Sequence, residues 1–196
     1  MNRPEPIVDS NSLGDPARFR TLGELESGLK ALPIGPRDRG RVALIVSRTE
    51  HGRRLTLDRV RLTSDGGVAG DAWSRQANRR IDGQIACMEA AVAELIANGQ
   101  SLILFGDNLF LDLDLSLGNL PPGSRVRVGG AVLEVTAKPH NGCRKFRGRF
   151  GDDALHFVSL PDLRDRNLRG IYMYVVEEGE AGPGDRVEVM ARPRGA

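Results

Sequence analysis

The sequence predicts a mainly β fold with a few helices, arranged as a closed or partly closed β-barrel. Three observations carry that reading. Short apolar or alternating runs recur along the chain, turn residues separate them, and helical spacing is confined to a few short stretches. The 196 residues, 40% of them hydrophobic, suffice for one sizeable core.

Residues 1–38 read as a polar, proline-bearing arm, and residues 39–196 as the barrel domain. Within the arm, Thr21-Leu-Gly-Glu24 has the form of a capping box, and Leu22, Leu25, Leu29 and Leu32 follow at helical spacing. A helix over about 22–32 is expected, ended by Pro33 and Pro36. It packs on the core or on a partner subunit, so a homodimer stays open.

The run Arg41–Ser47 is compact and β-branched, a buried strand. Leu55–Thr63 alternates imperfectly and reads as a second strand. Between Gln84 and Ala97 the period changes. Ile85, Met88, Val92, Leu95 and Ile96 share one helical face, so 84–97 reads either as one helix or, in preference, as a strand over 84–88 feeding a helix that starts near Glu89; Asn98-Gly99 stops it. Leu109, Leu111, Leu113, Leu115 and Leu117 alternate with polar residues, the pattern of a half-buried strand. A hairpin around Gly129-Gly130 joins strands ending at Val128 and Thr136. A short helix over 152–158, and strands at 171–176 and 186–190 joined by a Gly/Pro-rich turn, complete the chain.

Several function classes lose ground. A net charge of +2 gives no basis for nucleic-acid binding. No run of 18 apolar residues exists, and the start Met1-Asn-Arg-Pro-Glu-Pro has no secretory core. A cytoplasmic chain with reduced thiols and no membrane partner is expected. There is no P-loop, no GxGxxG after a strand, no GxSxG elbow and no paired-cysteine zinc spacing.

The chemistry concentrates around Cys143. It is flanked by Lys138, Arg144, Lys145, Arg147 and Arg149, and positive charge favours the reactive thiolate. Pro139, Gly142 and Gly148 argue for a loop. Arginine dominates the basic residues, since only Lys30, Lys138 and Lys145 are lysines, and its fork suits phosphate and carboxylate. His140 either pairs with the thiol or simply bonds backbone. Asp71 belongs to a Gly-Asp step that makes a turn at a strand end, while Asn108, directly before a strand, caps a turn or orients a polar ligand. Arg169 belongs to a charge run with Arg164 and Arg166, a solvated face or a phosphate clamp.

Gly70-Asp71, Gly106-Asp-Asn-Leu109, Ala131–Thr136, Gly142-Cys143, Arg169-Gly170-Ile-Tyr and Gly182-Pro-Gly-Asp185 occur in an order that resembles the MOSC domain, named for the C-terminal domain of molybdenum cofactor sulfurase. The resemblance spans roughly residues 41–190. It implies a MOSC-type barrel that binds the molybdenum cofactor, a molybdopterin. Cys143 would be the catalytic residue, as metal ligand or sulfur carrier. Asp71, Asn108, His140, Arg144, Lys145, Arg147 and Arg169 would contact the cofactor. It further implies reduction of N-hydroxylated or similar substrates with electrons from a separate donor. The alternative is a non-catalytic persulfide carrier, loaded by a cysteine desulfurase, or a cofactor-delivery module. Pyridoxal phosphate binding is associated with the family, but the chain has no aminotransferase-like domain, iron–sulfur cysteine set or flavin module.

Overall fold

The computed structural model describes residue 9 and residues 11–193. Residues 1–8, where the reading of no secretory core falls, lie outside the described residues, as do residues 10 and 194–196.

In chain order the elements are α1 (Leu22–Ala31), β1 (Arg39–Arg48), β2 (Arg54–Thr56), β3 (Val60–Thr63), β4 (Gly67–Val68), β5 (Ile85–Glu89), α2 (Ala90–Ala97), β6 (Leu109–Asp112), β7 (Arg125–Val128), β8 (Ala131–Val135), α3 (Arg144–Phe150), α4 (Asp152–Phe157), β9 (Ile171–Glu177), β10 (Gly179–Ala181) and β11 (Arg186–Ala191). Short 3-10 turns fill several of the connections.

The main sheet runs β11-β7-β8-β9-β5-β6-β1, and β1 pairs back onto β11. Seven strands therefore close into a barrel, with β2 added outside the ring on β1. The ten-residue β1 makes closure possible. Its first residues pair with β11, its middle with β6 across a bulge at Val42/Leu44, and its last with β2. Closure leaves these seven strands without a free edge. A small sheet, β10-β3-β4, lies beside the barrel.

Alternation sorts the apolar residues into two buried clusters. Val42, Ile45, Ile85, Leu109, Leu111, Leu133, Met173 and Val187 fill the barrel. Met88, Phe110, Phe105, Phe146, Phe150 and Phe157 form an outer layer with α1 and α2. The only parallel pair among the described residues, β5–β6, requires a crossover, and α2 with the turn after it supplies one. The α1 capping box is present: Thr21 N donates to Glu24 Oε2 (2.7 Å) and Glu24 N donates to Thr21 Oγ1 (3.4 Å). Leu25 and Leu29 of this helix belong to the outer layer, so the arm helix packs on the core of its own chain.

Four local expectations change. The stretch 55–63 divides between barrel and small sheet, because the chain leaves β1 after Leu57 and β3 pairs with β10 and β4 instead. The leucine alternation from 109 yields a strand only to Asp112. Beyond it Asp114 N donates to Pro36 O and Ser116 N to Asp114 Oδ1, while Leu113, Leu115 and Leu120 plug the barrel. The turn over 179–185 contains β10, since the Gly129-Gly130 hairpin offers it backbone partners (Gly130 N to Glu180 O, 2.8 Å). Finally, the Cys143 run is a loop only up to Cys143. The next seven residues form α3, because Phe146 and Phe150 lie one turn apart and bury together against Phe105. That burial outweighs the cost of Gly148 inside the helix, about 1 kcal/mol.

The aromatic layer predicts a measurable loss. Phe150 is buried and stacks on Phe105 at 4.1 Å. Phe150→Ala is expected to cost about 3–5 kcal/mol in urea unfolding. A loss below about 1 kcal/mol would mean that α3 is not held by this layer.

Candidate functional site

One end of the barrel opens into a cleft of about 960 Å³. Its wall is made by the end of β1, the single turn after Asp71, the start of β9 and the segment from Lys138 to Arg149. The basic side chains lining it are Arg48, Arg54, Arg75, Arg80, Lys138, Lys145, Arg149 and Arg169; among the described residues Glu50 is the one acidic lining residue. Cys143 lines it too, exposed, as the extended residue that precedes α3. The second thiol, Cys87, is fully buried in β5, and burial pushes its ionisation far up.

Two buried carboxylates hold the arginines from behind. Asp71 is 1% exposed. Its Oδ1 accepts from Arg48 Nη2 (2.7 Å) and its Oδ2 from Arg48 Nε (3.0 Å), a bidentate pair. Asp71 also accepts from the backbone N–H of Arg48 and of Trp73. Burial alone would raise its pKa, but the Arg48 hydrogen bonds win and hold it below the usual carboxylate range. Asn108 locks the pair. Its Nδ2 donates to Asp71 Oδ2 (3.1 Å) and Val46 O (3.2 Å), and its Oδ1 accepts from Ala86 N (3.2 Å) and Arg48 Nη2 (3.4 Å). Asn108 is 1% exposed, so it acts on the cleft through Arg48 and Asp71.

Asp107 does the same for the opposite wall. Its two oxygens accept from Arg169 Nη1 at 2.9 and 2.8 Å. The Arg169 guanidinium also lies 5.2 Å from the Phe146 ring centroid. Gly170 permits this placement, for its φ is +98° and a Cβ there would run into the Cys87 carbonyl. His140 Nε2 lies 3.5 Å from Asp107 Oδ1, and its ring packs on Tyr172 at 4.3 Å. Burial, then the charge of Arg169, pushes His140 down to about 3, so it is neutral at neutral pH. The Asp107 carboxylate selects the Nε2–H tautomer and leaves Nδ1 as an acceptor. Nδ1 of His140 and Nε of Arg169 are both buried without a hydrogen-bond partner.

Arg54, also buried, donates to the Ile103 and Leu104 carbonyls (3.0 Å each). Burial, then repulsion from Arg149 and Arg48, lowers it to about 10. Lys138 sits 3.5 Å from Asp82 and over the Tyr172 ring.

Of the residues singled out from sequence, Cys143, His140, Lys145 and Arg169 meet in the cleft. Asp71 and Asn108 lie directly behind its wall. Arg144 and Arg147 turn to a separate groove on the other side of α3, where Arg147 pairs with Asp152. Sequence reasoning missed Arg48, Arg54, Asp107 and Tyr172. Asp107 was within reach, as the acidic member of the quoted Gly-Asp-Asn step. Arg54 carries no local signal, because the fold alone buries it.

The sequence profile of the MOSC domain matches residues 84–188, over half of the chain. The chain belongs to the MOSC domain family. Among solved structures it is similar to the YUAD protein from Bacillus subtilis, with 18% identity, 77% of this chain and 95% of that chain covered, and a TM-score of 0.52. It is similar also to YiiM from Escherichia coli, with 20% identity, 80% and 72% coverage, and a TM-score of 0.52. Those likenesses show the barrel fold. A search of curated proteins found no match. Among the described residues of this MOSC chain no helix is long and apolar enough to cross a membrane, and no three His, Cys, Asp or Glu cluster to hold a metal.

The neutral His140 predicts a pH signature. Its folded pKa lies below the ordinary 6.5, so stability is present above pH 6.5 and lost as pH falls toward about 3. Glu89 works the other way: burial, then Asp114, raises it to about 7, so its contribution is complete below pH 4.5 and lost as pH rises through 7. The difference between wild type and His140→Gln isolates the histidine. From pH 6.5 to 4.5 that difference should move against wild type by about 1.4 kcal/mol per pH unit in urea unfolding. A pH-independent difference would show that His140 titrates normally.

Proposed function

We propose that this MOSC domain binds the molybdenum cofactor, with Cys143 as the protein ligand to the metal, and serves as a reductase component for N-hydroxylated or similar substrates. The supporting observation is the location of an exposed thiol in the same cleft as eight cationic side chains. The residues fit such a group. With no cluster of three protein donors among the described residues, a metal here must bring most of its own ligands, as a dithiolene does. A single thiolate suits the remaining soft position. Arg54, Arg149 and Lys138 line the cleft and would neutralise the cofactor phosphate, and Arg169 Nε and His140 Nδ1 are a buried donor and acceptor without a partner. When bound, the molybdenum centre supplies two-electron redox chemistry.

The chain's own residues prepare that site. Asp71 and Asp107 fix Arg48 and Arg169 from behind, so the guanidinium groups need not reorganise when an anion enters. His140, neutral and tied to Asp107, leaves the positive potential to the arginines. Electrons come from a separate donor protein, and the chain works in the cytoplasm, where two unpaired cysteines are the ordinary state.

A second reading rests on the exposure of Cys143, which makes the sulfur reachable by another protein. In it the thiolate attacks the terminal sulfur of a desulfurase persulfide, and the desulfurase cysteine leaves as thiolate. Element analysis of the purified chain separates the two. Molybdenum near one per chain, lost at least tenfold in Cys143→Ala with an unchanged melting temperature, is expected on the first. Molybdenum unchanged by that substitution would remove the ligand role. Cyanide-releasable sulfur without molybdenum would favour the carrier.

A further inference from the structure

Eight cationic side chains line the main cleft, and the fold neutralises half of them. Arg48 pairs with Asp71 and Arg169 with Asp107, while Arg80 and Lys138 share Asp82. Arg54, Arg75 and Lys145 have no carboxylate at ion-pair distance among the described residues. Arg54 is buried, and with Arg149 it answers the phosphate in the reading above. Arg75 and Lys145 remain, both exposed. Lys145 is the second residue of α3, two after Cys143.

Arg75 is held without being neutralised. It ends the single turn that Asp71 caps, and its Nη1 donates to Gly70 O (3.1 Å) and its Nη2 to Arg48 O (3.4 Å). Fixing a long exposed side chain costs rotamer entropy, and two backbone carbonyls leave its full charge in place. Its other N–H groups stay open to a ligand. A tethered guanidinium and an ammonium on the wall of one cleft complement a carboxylate or a phosphate. At about 960 Å³ the cleft lies at the upper end of the usual range for small-molecule sites, large enough to hold a substrate beside a cofactor.

We propose that the substrate carries an anionic group, a carboxylate or a phosphate, and that Arg75 and Lys145 bind it while the N-hydroxylated end lies toward Cys143. That orientation rests on the reductase reading; the anion subsite itself does not. An acidic protein is the other anion that exposed cations attract, but both side chains line a hollow that a small molecule enters and a protein surface would only cover.

The test compares benzamidoxime with its para-carboxylate and para-phosphonate on the full chain as purified. Trp73, the one tryptophan, lines the cleft two residues before Arg75, so its fluorescence reports binding with or without metal. At least one anionic probe should bind about tenfold more tightly than the neutral parent, the scale of one charge-assisted contact. Arg75→Gln and Lys145→Gln should each reduce that ratio about fivefold, and Arg75→Lys should restore part of it. Because the readout is a ratio, a general loss of affinity or fold does not imitate it. With reduced benzyl viologen as donor, the same substitutions should lower the ratio of kcat/KM values through KM. The tighter of the two anions tells carboxylate from phosphate. A neutral probe that binds as tightly as both anions, or a preference untouched by both substitutions, would overturn the proposal. So would an oligoglutamate peptide that binds more tightly than either small anion and loses that advantage in Arg75→Gln, since the rim would then be a protein-docking face. Failure of the cofactor reading shows separately, as absent molybdenum and no turnover of any probe while the fluorescence preference persists.

Discussion

The site depends on two buried carboxylates that sit behind arginines rather than in front of them. Asp71 and Asp107 are each 1% exposed, and each anchors one guanidinium. Burying such pairs carries a desolvation penalty, and stability alone rarely justifies it. Here the pairing fixes direction. Arg48 and Arg169 are anchored on their inner sides, and the surface they present to the cleft stays positive. Asn108 extends the same logic to the backbone, since its amide stitches β1 and β5 beside the Asp71 pair. The polar network is thus also part of the barrel's closure at this end.

The aromatic layer outside the barrel performs the complementary task. Phe105, Phe146 and Phe150 hold α3, and α3 sets where Cys143 emerges. The thiol is exposed, yet the helix beginning at the next residue is anchored by two buried rings. Arg169, bonded to Asp107 and stacked over Phe146, touches both systems. The electrostatic floor and the apolar layer therefore meet at one side chain.

Much of this was legible in the sequence, and the failures share a cause. The barrel, the capping box of α1, the strand-to-helix change near Glu89 and the Gly129-Gly130 hairpin all rest on local periodicity or turn chemistry, which the chain expresses within a few residues. The ring of cations was only half legible. Lys138, Lys145 and Arg149 face the cleft, but Arg144 and Arg147 share a short sequence with them and face elsewhere, because helical geometry separates neighbours in sequence onto different sides. Arg48 and Arg54 came from strands about ninety residues away, and no local pattern marks a charge that only the tertiary fold buries. The misjudged loop at Cys143 has the same origin: glycine and proline signals argued locally, and three phenylalanines decided otherwise.

The contrast between the two thiols carries a practical corollary. Cys87 is sealed inside the sheet and resists ionisation, while Cys143 stands at the mouth of the basic cleft. An alkylating dye therefore finds a single attachment point on the unaltered chain. Its emission would sense whatever enters beside it, making this protein its own fluorescent indicator without any engineered handle.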